Sequence, residues 1–412
     1  MRTARLWKRL LGVESAVVEE VSFEGEGAET VFVARVRLSA KERSRCGRCK
    51  RRSPLYDRGS GPRRWRTLDL GHTMAYLEAD IPRVTCLEHG VCSAAVPWAR
   101  HAARHTTSFE DMCAWLLAEA PASSVAELLR VTWRTTQAIV ERVVADLAGR
   151  TDLLEGLRRI GIDEIAYRKG HRYVTCVVDH DTGRLVWAKE GRNSDTLNQF
   201  FSDLGEERSA LLTHVSADGA EWIHTVVEAK APQALICLDP FHIMQWVTKA
   251  LDGVRRKMWR ELQPKAAASQ VKGARWALLK SPLELTEDQR ISVAVIAKTN
   301  RPLYRGYLLK EQMRTAIAVK GAEGRALLGG WVAWAKRSRL PEFKEVANTI
   351  ERLRPYIWNT MEQGLSNARS EATNTHLRVL TRRAYGFHSP AALIAMAMLT
   401  RGGLCPELPG RA

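Results

Sequence analysis

A chain of 412 residues is too long for one ordinary core and predicts about two to three domains. Its 45% hydrophobic content is that of a globular protein, and no apolar run approaches the roughly 20 residues that span a bilayer. That argues against an integral membrane protein, and a net charge of +17 points to a polyanionic partner.

The first residues, MRTARLWKRLLGVESAVVEE, carry basic charge but only a short apolar stretch. They predict an amphipathic helix and a cytoplasmic protein without a signal peptide. Residues 16–38 alternate apolar and polar around GEGAE, the pattern of a β-hairpin. Between Lys41 and Arg66 stand eleven Lys/Arg and only two acids, Glu42 and Asp57. Such clustering suits phosphate contacts, whose affinity comes from counterion release; Arg48, Lys50, Arg51, Arg52, Arg63 and Arg64 are the expected contacts. Within this basic segment Cys46-x-x-Cys49 opens one knuckle, and Cys86-x-x-His89 closes a second after strand-like segments at 65–70 and 74–81. Two paired knuckles separated by hairpin material predict a zinc-ribbon-like module with one closed, structural Zn²⁺. Cys92 competes with His89 for the fourth ligand position. Of the other cysteines, Cys113, Cys176 and Cys237 lie in apolar runs and read as core residues, and Cys405 lies near a Gly/Pro-rich end.

From Thr106 to Leu147 the apolar spacing becomes helical. SFEDMCAWLLAEA is one helix; SSVAELLRVTWRTTQAIVERVVADL, interrupted at Val131–Thr132, gives two more with a brief turn between them. The order predicts a helix-turn-helix. Arg134, Thr135, Thr136 and Gln137, at the start of the second helix, would face base edges in a major groove.

Residues 158–240 alternate strands and helices. IGIDEIAYR, HRYVTCVVD and RLVWAKE predict three consecutive strands, and NSDTLNQFFSDLG a capped helix. SALLTHVSAD is a strand, GAEWIHTVVEAK a helix and QALICLD a strand. This is the order of an RNase H-like fold. Residues 241–360 then read as successive helices, PEFKEVANTIERLRPYIWNTM among them, with tryptophans such as Trp246, Trp276, Trp331 and Trp358 supplying mostly core. The expected division is 1–40 for the first helix and hairpin, 41–105 for the zinc module and 106–150 for the helix-turn-helix. A core runs from 155 to 244 and resumes at 361–405 around a helical insertion at 245–360.

Three carboxylates stand out. Asp163 and Asp218 lie at the ends of β-branched runs, and Glu371 lies in a helical segment more than a hundred residues later. Two strand-end aspartates and a helical glutamate are what holds two Mg²⁺ (or Mn²⁺) ions roughly 3.5–4 Å apart against a phosphodiester. Strand alternation turns Glu164 to the face opposite Asp163 and leaves it out of the site. His242, three residues after Asp239, reads equally as a site residue that orients a phosphate or water and as a core histidine. Arg382 and Arg383 are expected phosphate clamps.

The chain resembles bacterial DDE-type insertion-sequence transposases of the ISL-three (ISL3) family. The resemblance rests on CGRC with CLEHG, on PWAR, GIDE, SADGA and LDPFHIMQW, and above all on SNARSEATNTHLRVLTRRAYGFHS. It implies an RNase H-like catalytic core with Asp163, Asp218 and Glu371 as the metal-binding triad. It also implies Cys46, Cys49, Cys86 and His89 as zinc ligands. The N-terminal portion would bind terminal inverted repeats, and the partners would be double-stranded DNA (element ends and target) and a second copy of the chain on DNA, with no membrane involved. Location would be the cytoplasm, at the nucleoid when DNA-bound. Two other readings remain at this level: a non-catalytic DNA-binding regulator on the same scaffold, and a metal-dependent nuclease that cuts without joining.

Overall fold

The computed structural model describes residues 2–13, 15–168, 170, 172–262, 265–365, 368–384 and 386–411. Of the positions quoted above, Met1, Glu14, His171, Ser366, Asn367 and Tyr385 lie outside the described residues. The chain divides into two compact units, Met1–Leu153 with Arg382–Ala412, and Leu154–Thr381.

Helix α1 (Arg2–Leu10) leads into strands β1 (Ala16–Glu24) and β2 (Val31–Leu38), the expected hairpin, with Ala16 opposite Leu38 and Glu24 opposite Val31. There follow β3 (Leu55–Asp57), β4 (Pro62–Leu70), β5 (Thr73–Asp80), β6 (Arg83–Cys86) and β7 (Gly90–Ser93). They form a four-stranded sheet in the order β1-β2-β5-β4 and a small sheet in the order β3-β6-β7. Phe32, Val36, Trp65, Ala75 and Leu77 make the core of the larger sheet, which explains why alternate residues there are apolar. Helices α2 (Thr107–Glu119), α3 (Ala122–Leu128) and α4 (Trp133–Ala148) come next. Thr106 and Thr132 cap α2 and α4 by accepting from Phe109 N and Thr135 N. The tight α3–α4 turn needs a left-handed residue, which is Arg130 at φ 54°.

The second unit begins with β8 (Arg159–Arg168), β9 (Arg172–Asp179), β10 (Leu185–Glu190), α5 (Ser194–Leu204), α6 (Glu206–Ser209), β11 (His214–Ala217), α7 (Glu221–Lys230) and β12 (Leu235–Leu238). Its sheet runs β10-β9-β8-β11-β12, antiparallel across the first three strands and parallel from β8 to β12. Strand β11 is shorter than the apolar run SALLTHVSAD suggests. The run starts at the end of α6, and Gln233 Nε2 ties the carbonyls of Ser209 and Leu212 into the connection.

Helices α8 (Pro240–Glu261), α9 (Lys265–Gly273), α10 (Arg275–Leu279), α11 (Glu287–Thr299), α12 (Arg301–Ala318), α13 (Gly321–Arg337), α14 (Pro341–Arg352), α15 (Arg354–Gln363), α16 (Ala368–Arg383) and α17 (Pro390–Arg401) complete the chain. The last packs on α2 and α4 in the first unit. Trp331, fully buried with Nε1 donating to Leu309 O at 2.7 Å, centres the helical core, where truncating such a ring costs ~3–5 kcal/mol. The helix expected over 341–361 is broken at Leu353, because Pro355 has no N–H for the carbonyl of Glu351. The break lets α15 lie along the edge of the sheet. There Asn359 Nδ2 and Thr360 Oγ1 donate to the carbonyls of Ile236 and Leu238 on β12, satisfying an edge that would otherwise be open.

Candidate active site and zinc centre

The two cysteine knuckles meet. Ligand atoms of Cys46, Cys49, Cys86 and His89 all lie within 4.8 Å of one another. Cys49 Sγ is 3.6 Å from Cys86 Sγ, and His89 Nδ1 is 3.6 Å from Cys86 Sγ and 3.8 Å from Cys46 Sγ. Tetrahedral Zn–S bonds of about 2.3 Å require spacings of this size, so the donor set fits a structural zinc. The His89 hydrogen bond draws the Cys86 thiol down to about 6, toward the thiolate a metal needs. Gly47 is required by packing: a Cβ there would stand 2.6 Å from Ser93 O, the carbonyl its own N–H bonds. Cys92 lies 3.4 Å from Cys46 Sγ, beside the cluster.

Around this centre Arg48, Lys50, Arg51, Arg52 and Arg63 are exposed. Arg64 is also exposed and pairs with Glu24 and Glu78, at 2.9 and 2.7 Å. On α4, Arg134 is exposed and lies over the Trp133 ring, 5.6 Å from its centroid. Thr136 corrects the sequence expectation. It is 1% exposed and its Oγ1 donates to Trp133 O, because helical spacing puts it on the same face as Ile139, Val140 and Val143. Thr135 turns its hydroxyl to Thr132, and Gln137 donates to Glu141 at 3.1 Å.

In the second unit the three singled-out carboxylates come together. Asp163 on β8, Asp218 just after β11 and Glu371 in the first turn of α16 line one cleft of about 360 Å³. Parallel pairing of β8 with β11 makes neighbours of the two aspartates' strands. Asp218 is fixed by accepting from Ala220 N at 2.9 Å. Gly219 lets the helical layer close behind it: a Cβ there would meet the Trp246 ring at 2.8 Å. Glu371 is brought in by α16, whose Arg369 donates to His180 O at the end of β9. Burial is the largest influence on Asp163, raising its carboxyl to about 6 with Asp218 and Asp239 adding repulsion. Glu371 is likewise raised, by burial and by Asp239. Crowded, half-buried oxygens whose negative charge is disfavoured are a fit donor set for a hard divalent cation.

His242 lines the same cleft, with Nε2 3.9 Å from Asp239 Oδ2. Glu164 is a second correction: it lines the cleft alongside Asp163. Strand β11 pairs with β8 only as far as Gly161, so beyond that point the β11 side of β8 has no paired strand among the described residues. The Glu164 side chain pairs with Arg192 at 3.3 Å, and burial raises it to about 7. Arg192, which also lies over the Tyr173 ring, and Arg378 are the cations of the cleft. Arg382 and Arg383, the expected clamps, belong to the first unit, where Arg383 donates to Glu119 O at 3.0 Å. Sequence reading also missed Asn374, whose signal was its place one helical turn after Glu371.

Comparison with known proteins matches residues 160–397 to a family model described as transposase. Residues 94–144 match the helix-turn-helix domain of transposase family ISL3, and 42–92 a zinc finger of the transposases of IS204, IS1001, IS1096 and IS1165. The transposase for insertion sequence element IS1557 of Mycobacterium tuberculosis is 49% identical over 438 aligned residues, covering 100% of this chain and 98% of that protein. The transposase for IS1001 of Bordetella parapertussis is 26% identical over 296, covering 70% and 72%.

Proposed function

The chain belongs to the ISL3 family of insertion-sequence transposases, and from that premise we propose that Asp163, Asp218 and Glu371 form its DNA-cleaving and strand-transferring centre. The observation that carries the reading is their convergence, from a strand, a strand end and a distant helix, on one cleft. The sheet order supports an RNase H-like core, with α8–α15 as the helical insertion between the second acid and the third. Magnesium bound by these oxygens would supply Lewis acidity and neutralise charge at the phosphate. Asp163 on β8 would hold the metal, with Asp218 after β11 and Glu371 on α16 completing the donor set. His242 orients the scissile phosphate, and Arg192 and Arg378 hold flanking phosphates. Water displaces the 3′-oxygen at the element end, leaving a 3′-hydroxyl and a 5′-phosphate. That hydroxyl then attacks a target phosphodiester, forming one P–O bond as another breaks.

The zinc module and α3–α4 bind the terminal inverted repeats, and joining two ends calls for at least a dimer on DNA. No helix among the described residues is long and apolar enough to cross a membrane.

Cleavage of a labelled duplex carrying the element's own end tests the assignment. Wild type with Mg²⁺ should nick at the end, while Asp163→Asn, Asp218→Asn and Glu371→Gln should bind equally and not cut. End binding without cleavage by wild type would favour the regulator. Cleavage retained in any one variant would remove that residue from the triad.

A further inference from the structure

Asn374 stands three residues after Glu371 on α16, so both side chains leave the same face of the helix. The residue is 3% exposed and lines the carboxylate cleft. Its Nδ2 donates to Asp163 Oδ2 at 2.6 Å, and its Oδ1 has no hydrogen-bond partner among the described residues. Exchanging the amide's nitrogen and oxygen would set a carbonyl against a carboxylate, so the donor assignment stands on chemistry. A buried acceptor left without a partner is destabilising, and a cation in the cleft would remove that cost. Hard divalent ions take oxygen ligands, and side-chain amide oxygens occur among them beside carboxylates. A neutral oxygen adds a ligand to a site already holding Asp163, Asp218, Glu371 and Glu164 without adding another negative charge.

We propose that Asn374 is a fourth protein ligand of the divalent-cation site, its Oδ1 coordinating the cation while its Nδ2 fixes the carboxylate of Asp163. This rests on the carboxylate cleft being the metal site, as assigned above. It also gives α16 a second link to β8, so that the helix delivering Glu371 is registered against the strand delivering Asp163.

The test is Mn²⁺ binding to the full-length protein by isothermal titration, with circular dichroism to confirm folding. Asn374→Leu, which removes both polar atoms at similar volume, should weaken Mn²⁺ binding about tenfold or more. Asn374→Asp, which keeps an oxygen at the same place, should retain most of the affinity. A purely structural role would weaken both alike, and that result overturns the proposal, as does a folded Asn374→Leu protein that binds Mn²⁺ like wild type. Asn374→Ala runs beside it in case the leucine variant does not fold. Glu371→Gln separates the two levels. If it is weakened and the Asn374 variants are not, only the role of Asn374 falls; if it too binds as wild type, the cleft is not the metal site.

Discussion

His180 shows how a single buried side chain can support the cleft from behind. It is 5% exposed, and its Nε2 shares a 2.6 Å hydrogen bond with Ser216 Oγ, two residues before Asp218. Burial lowers its pKa to about 4; Arg369 and Arg159 push the same way, and Asp179 and Asp181 oppose them. A histidine held neutral in the fold and titrating near 6.5 when unfolded stabilises the protein fully above pH 6.5. That contribution is lost as pH falls through 6.5 toward about 4, at up to about 1.4 kcal/mol per pH unit. The urea midpoint of wild type should therefore drop between pH 7 and pH 4.5, and His180→Gln should flatten part of that drop. Equal slopes in the two proteins would show that His180 does not carry the dependence. His105, half-buried in the first unit and also lowered to about 4, supplies a separate share that the variant leaves in place.

Helix α4 separates two kinds of residue that its sequence sets side by side. Arg134 is exposed at the first turn, whereas Thr136 is spent on the core and on Trp133 O. Arg134→Ala should weaken binding to a duplex end and reduce the slope of log affinity against log salt by about 1. Thr136→Ser, which keeps the hydroxyl, should leave that slope unchanged in a gel-shift titration across salt concentrations. A salt slope altered by the serine and not by the alanine would reverse the assignment. The same contrast explains how much was legible beforehand. Element types followed from periodicity: strands β8, β9 and β10, the capped α5 and the α3–α4 pair all fall where apolar spacing put them. That Asp163 and Asp218 would share a cleft was legible because a strand-end aspartate in an apolar run is an unusual place for charge. What periodicity could not supply was facing. Thr136 belongs to a face defined by residues further along α4. Glu164 reaches the cleft because β11 ends early, a fact about a neighbouring strand. Asn374 mattered through a partner 211 positions away, and Arg64 through Glu24 and Glu78 on other strands.

At the scale of the molecule, the chain carries +17 net charge and divides into two compact units, and the proposed function assigns recognition of DNA to the first and the chemistry to the second. The zinc cluster and α3–α4 belong to the first unit, the carboxylate cleft to the second. Family membership makes the chain a transposase; that the cleft performs joining as well as cutting is the central claim. It is tested most directly with a pre-cut element end, a target plasmid, Mg²⁺ and the purified chain. An end bearing a 3′-hydroxyl should be joined to the plasmid by wild type and not by Glu371→Gln. The same end with a 3′-deoxy terminus should yield no joined product with either protein. Joining by Glu371→Gln at the wild-type rate, or binding of the 3′-hydroxyl end by wild type with no joined product, would contradict the assignment of strand transfer to Asp163, Asp218 and Glu371.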